Sequence, residues 1–181
     1  MIFTPTPLEG LFTIDPERIV DERGFFARTW SRGEFEARGL DPAVAQCNVA
    51  FNLKKGTLRG MHYQVPPHTE AKLVRCTRGA IYDVALDIRP GSTTFGHWLA
   101  FELTGDNLRM IYIPEGLAHG YQTLEDGSEV FYQMSELYHP GSARGVRWDD
   151  PAFEIRWPLP PRTMSERDRS FPLHDGRGRG A

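Results

Sequence analysis

The residue pattern predicts an all-β fold, a jelly roll or double-stranded β-helix with few short helices, on three observations. Short runs rich in Val, Ile, Phe, Tyr and Trp recur from Val44 onward between Gly, Pro and Asp turns. The stretches between runs are too brief to hold the crossover helices of a parallel sheet. Before Val44, helix signals gather at one place only, Ser31 with Glu34 three residues later.

Taken in order, residues 1–14 alternate apolar and turn residues up to LFTI, and IVDERGFFARTW reads as two strands around the turn Asp21-Glu22-Arg23-Gly24. SRGEFEARGL is expected to be a short helix stopped by Gly39. Strands follow at VAQCNVAFN, TLRGMHYQ, AKLVRCT, AIYDVALDI, HWLAFEL, RMIYIP, GYQTL and EVFYQMSELY. Asp126-Gly127 is the clearest hairpin signal. In the strand after it Val130, Tyr132 and Met134 share a face, so Tyr132 is expected to point inward. The segment WDDPAFEIRWPLPPRTMSERD reads as coil with one short strand, and Ser165 can open a helical turn that carries Asp168. One domain over 1–172 and a disordered tail over 173–181 complete the expectation.

Composition excludes several classes. A net charge of −3 over 181 residues offers no basic face for a phosphate backbone, so no nucleic-acid partner is expected. No apolar run approaches the roughly 20 residues that cross a bilayer, and MIFTPTPLEG lacks the features of a signal peptide, so no membrane partner and a cytoplasmic location are expected. Cys47 and Cys76 lie in separate strands without metal-type pairing and read as small core residues.

Chemistry concentrates between Thr57 and Asp87. Alternation places Leu58, Gly60, His62 and Gln64 on one face of a strand, and Lys72, Val74 and Cys76 on one face of the next. His62 and Lys72 can therefore face one cavity. An imidazole that moves a proton and an ammonium that stabilises an oxyanion suit proton transfer next to a carbonyl. A strand His is also commonly a hydrogen-bonded core residue, and a Lys a snorkelling surface residue.

These residues sit in ordered motifs: D-x-R-G-x-F at Asp21–Phe26, Gln46-Cys47-Asn48, L-R-G-M-H-Y-Q at Leu58–Gln64, A-K-L-V at Ala71–Val74 and D-V-A-L-D-I-R at Asp83–Arg89. S-T-T-F-G at Ser92–Gly96, I-P-E-G-L-A-H-G at Ile113–Gly120, V-F-Y at Val130–Tyr132, Y-H-P at Tyr138–Pro140 and S-E-R-D at Ser165–Asp168 follow. With them the chain resembles the dTDP-4-dehydrorhamnose 3,5-epimerases, cupin-like enzymes of nucleotide-sugar metabolism, over nearly its whole length. The resemblance implies a nucleotide-sugar substrate, with His62 as the base that removes a proton alpha to the C4 ketone. It implies Asp168 orienting that base, Lys72 stabilising the enolate oxygen and Tyr132 returning a proton from the opposite face. Because the ketone delocalises the carbanion, no metal, flavin or nicotinamide cofactor is expected. Substrate binding would fall to Arg23, Arg28, Gln46, Asn48, Arg59, His119, Tyr138 and Arg167, with Tyr138 stacking on the nucleobase. A homodimer that exchanges N-terminal strands is also implied, with Phe3, Leu8, Leu11, Phe12 and Ile14 as its apolar surface and Arg23 and Arg28 acting in trans.

Alternatives stay open at this level. Asp83 shares a face with Ile81 and Ala85 and could be the carboxylate beside His62. Arg28 and Ala143 stand where the family places Glu, and a guanidinium donates where thymine also donates. A CDP- or GDP-linked 4-keto sugar, inverted at C3 or C5 only, is thus the alternative substrate. A metal-dependent cupin would use His119 from the second cupin motif, yet His62, His68 and Glu70 are not spaced as its first. A non-catalytic sugar-nucleotide binding module is the remaining reading.

Overall fold

In a computed structural model that describes residues 1–174, thirteen strands and two short helices follow one another. The strands are β1 (Ile2–Pro5), β2 (Phe12–Asp15), β3 (Arg18–Asp21), β4 (Gly24–Ala27), β5 (Gln46–Asn52), β6 (Leu58–Gln64) and β7 (Lys72–Arg78). They continue as β8 (Ala80–Asp87), β9 (Trp98–Thr104), β10 (Met110–Ile113), β11 (Leu117–Thr123), β12 (Ser128–Met134) and β13 (Ala143–Gly145). The helices are α1 (Arg32–Glu36) and α2 (Glu166–Arg169).

Two antiparallel sheets form the jelly roll. One has the order β1-β2-β10-β7-β12-β5 and the other β13-β6-β11-β8-β9, so consecutive strands alternate between sheets from β5 to β8 and again from β9 to β13. The core between them gathers Leu8, Leu11, Val74, Cys76, Ile81, Ala85, Leu103, Ile111, Ile113, Leu117, Tyr121 and Val130. Alternation is clean in β12, where Val130 and Met134 are buried, and absent in β11, all seven of whose residues are buried. Val146, Phe153 and, half-buried, Trp157 cover the outer face of the second sheet, packing on Met61, Val84, Leu86 and Ala118.

The D-I-R and S-T-T motifs make a structural knot at the end of β8. Asp87, fully buried, accepts from Arg89 (2.7 Å), Ser92 (2.7 Å) and Thr94 (2.6 Å). Burial alone would raise its carboxyl, but these donors hold it far below the usual carboxylate range.

Several expectations change. Asp126-Gly127 does not close a hairpin: β11 pairs with β6 and β8, whereas β12 pairs with β5 and β7 in the other sheet. Gly127 supplies the turn with φ +68°, but Asp126 accepts the Lys55 N–H at 2.7 Å and ties the turn to the loop before β6. A local signal fixes chain reversal, not the sheet that receives the returning strand. Ser31 does precede α1, but its side chain makes no cap bond and the helix stops at Glu36, ahead of Gly39. Cys47 is exposed; only Cys76 is a core thiol. Leu8, Leu11 and Ile14 are buried within their own chain, and Phe3 and Phe12 pack on a second cluster around Phe35. The coil after Tyr138 gains β13, which was not foreseen, while the strand expected in 148–168 is reduced to one bridge, Thr57 to Thr163. Of the expected tail, His174 is tied down, its N–H donating to Asp150 at 2.5 Å; 175–181 lie outside the described residues.

Candidate active site

A cavity of about 220 Å³ opens between the sheets. From the second sheet it is lined by Arg59, His62 and Gln64 of β6, by His119 and Tyr121 of β11 and by Ala143 and Arg144 of β13. The first sheet contributes Ala50, Lys72, Tyr132 and Met134, and Glu70, Tyr138 and Arg167 complete the wall. A contiguous cleft of about 400 Å³ shares Arg59, His62 and Arg167 and reaches Asp168.

The local path of β6 explains how Arg59 joins His62. Simple alternation would separate them, but the register between β6 and β11 shifts between His119 and Tyr121. Gly60 lies at the shift with φ +125°, and a Cβ there would meet the Gly120 Cα at 2.5 Å. No side chain fits. Leu58 is consequently buried while Arg59 turns to the cavity, its Nε donating to Asn52 Oδ1 at 2.8 Å.

His62 donates from Nε2 to Asp168 Oδ1 at 2.7 Å, so Nδ1 is left as the nitrogen that can take a proton. Asp168 is presented by α2, where Ser165 caps by accepting the Asp168 N–H. Burial would raise its carboxyl, but His62, the Gly60 N–H and Ser165 together hold it below the ordinary carboxylate range. Asp83, the alternative carboxylate, instead faces His119 Nε2 at 3.0 Å. Burial pushes Asp83 up, partly offset by His119. His62 and His119 are register partners on β6 and β11, so two His-carboxylate pairs stand side by side.

Lys72 and Tyr132 come from the facing sheet. Lys72 is buried and its Nζ contacts Glu70 Oε1, while Glu70 Oε2 has no partner among the described residues. Burial pushes the Lys72 ammonium below its ordinary value, and Glu70 pulls it part of the way back. Burial likewise pushes the Tyr132 phenol up, with Arg59 opposing, so it keeps its proton at neutral pH.

At the mouth, Arg167 Nη1 donates to the Tyr138 hydroxyl at 3.1 Å, and Gln46 accepts the Tyr138 N–H at 2.8 Å. Gln46 reaches Asn48 at 3.4 Å, on the same strand face as cavity-lining Ala50. Arg59, Arg144 and Arg167 form a cationic rim suited to a diphosphate. Arg23 and Arg28 are not brought to this cavity within one chain. Arg23 pairs with Asp21 at 2.5 Å on the exposed β3-β4 ribbon, and Arg28 lies 3.7 Å from Glu34. The sequence reading had missed Glu70, Tyr121, Met134 and Arg144 as cavity residues. Nothing periodic in Ala143-Arg144-Gly145-Val146 marks Arg144 as a cavity residue, and alternation would put it with Val146, which packs in the outer cluster.

Fold and site define a class: a cupin-like carbohydrate epimerase, an isomerase. The sequence model described as dTDP-4-dehydrorhamnose 3,5-epimerase matches residues 5–175. The dTDP-4-dehydrorhamnose 3,5-epimerase of Methanothermobacter thermautotrophicus is 42% identical over 177 residues, 96% of this chain and 95% of its own. The crystal structure of the Elizabethkingia anophelis enzyme of that name superposes with a TM-score of 0.94 at 34% identity, covering 98% of both chains. A Legionella pneumophila dTDP-6-deoxy-D-glucose-3,5-epimerase, solved with dTDP-4-keto-L-rhamnose, reaches a TM-score of 0.89 at 37% identity over 95% of this chain and 92% of that one. The chain belongs to the dTDP-4-dehydrorhamnose 3,5-epimerase family.

Proposed function

We propose that the protein inverts C3 and C5 of a dTDP-linked 4-keto-6-deoxy sugar by proton transfer alpha to the ketone. One observation carries the assignment of roles: His62 with its carboxylate enters the cavity from one sheet, and Lys72 and Tyr132 enter from the other. Inversion needs a base and a proton donor on opposite faces of one carbon, and the two sheets supply opposite faces. Nδ1 of His62 takes the proton as Asp168 holds the imidazolium in place. Lys72 Nζ steadies the enolate oxygen, and the Tyr132 phenol returns a proton from the far side. The test is NMR of the dTDP-4-keto-6-deoxy sugar in deuterated water, where deuterium should enter at C3 and C5 with inversion at both.

Tyr132→Phe separates the two steps. It should still exchange deuterium at the carbon that His62 deprotonates while failing to invert it, because only the second proton path is cut. Equal loss of exchange and inversion would refute the assignment.

Thymine is the proposed base. The Legionella relative was solved with a dTDP sugar, and the matching family is the one described by a dTDP-linked substrate, which outweighs the acceptor-edged base that Arg28 favoured from sequence. Titration with dTDP, UDP, CDP and GDP should give tightest binding of dTDP. A stronger response to CDP or GDP would restore the alternative.

The reading includes a homodimer in the cytoplasm, the location supported by two free thiols. Among the described residues β3 and β4 pair only with each other, and they leave Ile19, Val20, Phe25 and Phe26 between 51% and 74% exposed. A two-stranded ribbon with such a face is marginal alone. Val49, Phe51 and Leu53, on and just beyond the edge strand β5, are exposed as well and offer a second copy its docking surface. Exchange of this ribbon would carry Arg23 and Arg28 toward the partner's cavity. Sedimentation at micromolar concentration should give twice the chain mass, and a monomer would remove this part of the reading.

A further inference from the structure

The loops after β6 and β12 meet in a cluster that the proposed reaction does not use. His68 and His139 stack with ring centroids 3.5 Å apart and planes at 13°. Glu136 lies against both, Oε2 at 3.9 Å from His68 Nδ1 and Oε1 at 3.8 Å from His139 Nε2. One ligand atom from each of the three falls within 4.8 Å of the others. All three residues are half-buried, so solvent ions reach them.

From this arrangement the geometry points to a divalent transition-metal site, of the zinc class, formed by His68, Glu136 and His139. The gaps of 3.8 and 3.9 Å are too long for hydrogen bonds. They come within a few tenths of an ångström of the spacing, about 3.4 Å, that separates two ligands of a tetrahedral zinc bound at roughly 2.1 Å. Two imidazoles and one carboxylate select borderline ions over magnesium or calcium, which take oxygen ligands. Water would fill the fourth position.

The backbone beneath the cluster is already set by a buried side chain. Gln64, 4% exposed, donates from Nε2 to the His68 carbonyl at 2.9 Å and to the Leu137 carbonyl at 3.1 Å. Its Oε1 accepts the His139 N–H at 2.6 Å. One amide thus locks the two histidine-bearing loops together, and metal binding needs only side-chain rotation that opens the stack. The order cost falls on three side chains rather than on two loops. Because Glu136 and His139 flank Tyr138, the ion would clasp the segment that carries Tyr138 at the cavity mouth.

The inference does not rest on the epimerase reading, and its test uses binding alone. Untagged full-length protein is titrated calorimetrically with zinc chloride near neutral pH, beside His68→Ala, His139→Ala and Glu136→Gln. Wild type should bind one zinc per chain, and each variant should lose roughly tenfold or more in affinity. His62→Ala should bind zinc as wild type does, which keeps the cavity histidines out of the measurement. Zinc binding that survives in both His68→Ala and His139→Ala, or that is lost in His62→Ala, would overturn the site, as would no binding by the wild type.

Discussion

His62→Ala should lose about 10² to 10⁴ in the rate of deuterium exchange while keeping its fold and its affinity for dTDP, because it removes the general base and little else. The imidazole is part-exposed at the cavity wall, with 42% of its side chain accessible, so its truncation leaves no sealed void. Asp168 would lose its strongest donor but retain the Gly60 N–H and the Ser165 cap. Exchange and inversion should therefore fall together, at C3 and C5 alike, with dTDP binding by calorimetry close to wild type. Exchange within a few fold of wild type would remove His62 from the base role. Asp168→Asn offers the finer comparison, since it keeps the shape of the pair but not the charge that steadies an imidazolium.

Lys72→Met should be costly twice over, in rate and in stability. Loss of one oxyanion donor removes about 10² to 10³ in kcat. The second cost comes from Glu70, whose side chain is 3% exposed and whose only side-chain partner among the described residues is Lys72. Breaking a buried ion pair from one side costs about 3–5 kcal/mol because a charge is left unpaired. The double variant Lys72→Met with Glu70→Gln should recover most of the stability in denaturant unfolding and none of the rate. Recovery of both would mean that Lys72 serves packing rather than chemistry. If the single variant unfolds too readily for kinetics, the double variant still reports on the rate.

Much of this architecture was legible in the residues because β-sandwich physics is local along each strand. The periodicity of Val130, Tyr132 and Met134 placed Tyr132 toward the interior, and it lines the cavity. His62 and Lys72 also reach one cavity, as their strand faces indicated. What stayed hidden depended on non-local pairing. Gly60 breaks the period of β6 only because β11 passes within a Cβ radius, so Arg59 could not be put beside His62 by counting residues. The choice between Asp83 and Asp168 was equally undetermined, since the distance from α2 to β6 is set by how 146–165 wraps the second sheet. Glu70 looked like a failed metal ligand next to His68. In the structure it turns inward to Lys72, while His68 turns out toward Glu136 and His139.

The interleaving of the two sheets has a consequence for the protein's birth on the ribosome. β5 waits for β12, β2 for β10 and β6 for β13, and His62 waits for a carboxylate 106 residues downstream. Each sheet is closed by strands far apart in synthesis order, the long-range pairing that makes folding slow. A nascent chain cannot complete the first sheet until β12 has emerged or the second until β13 has, and His62 gains its carboxylate only when α2 has followed. On the proposed roles, loss of α2, even with every strand intact, would silence the site.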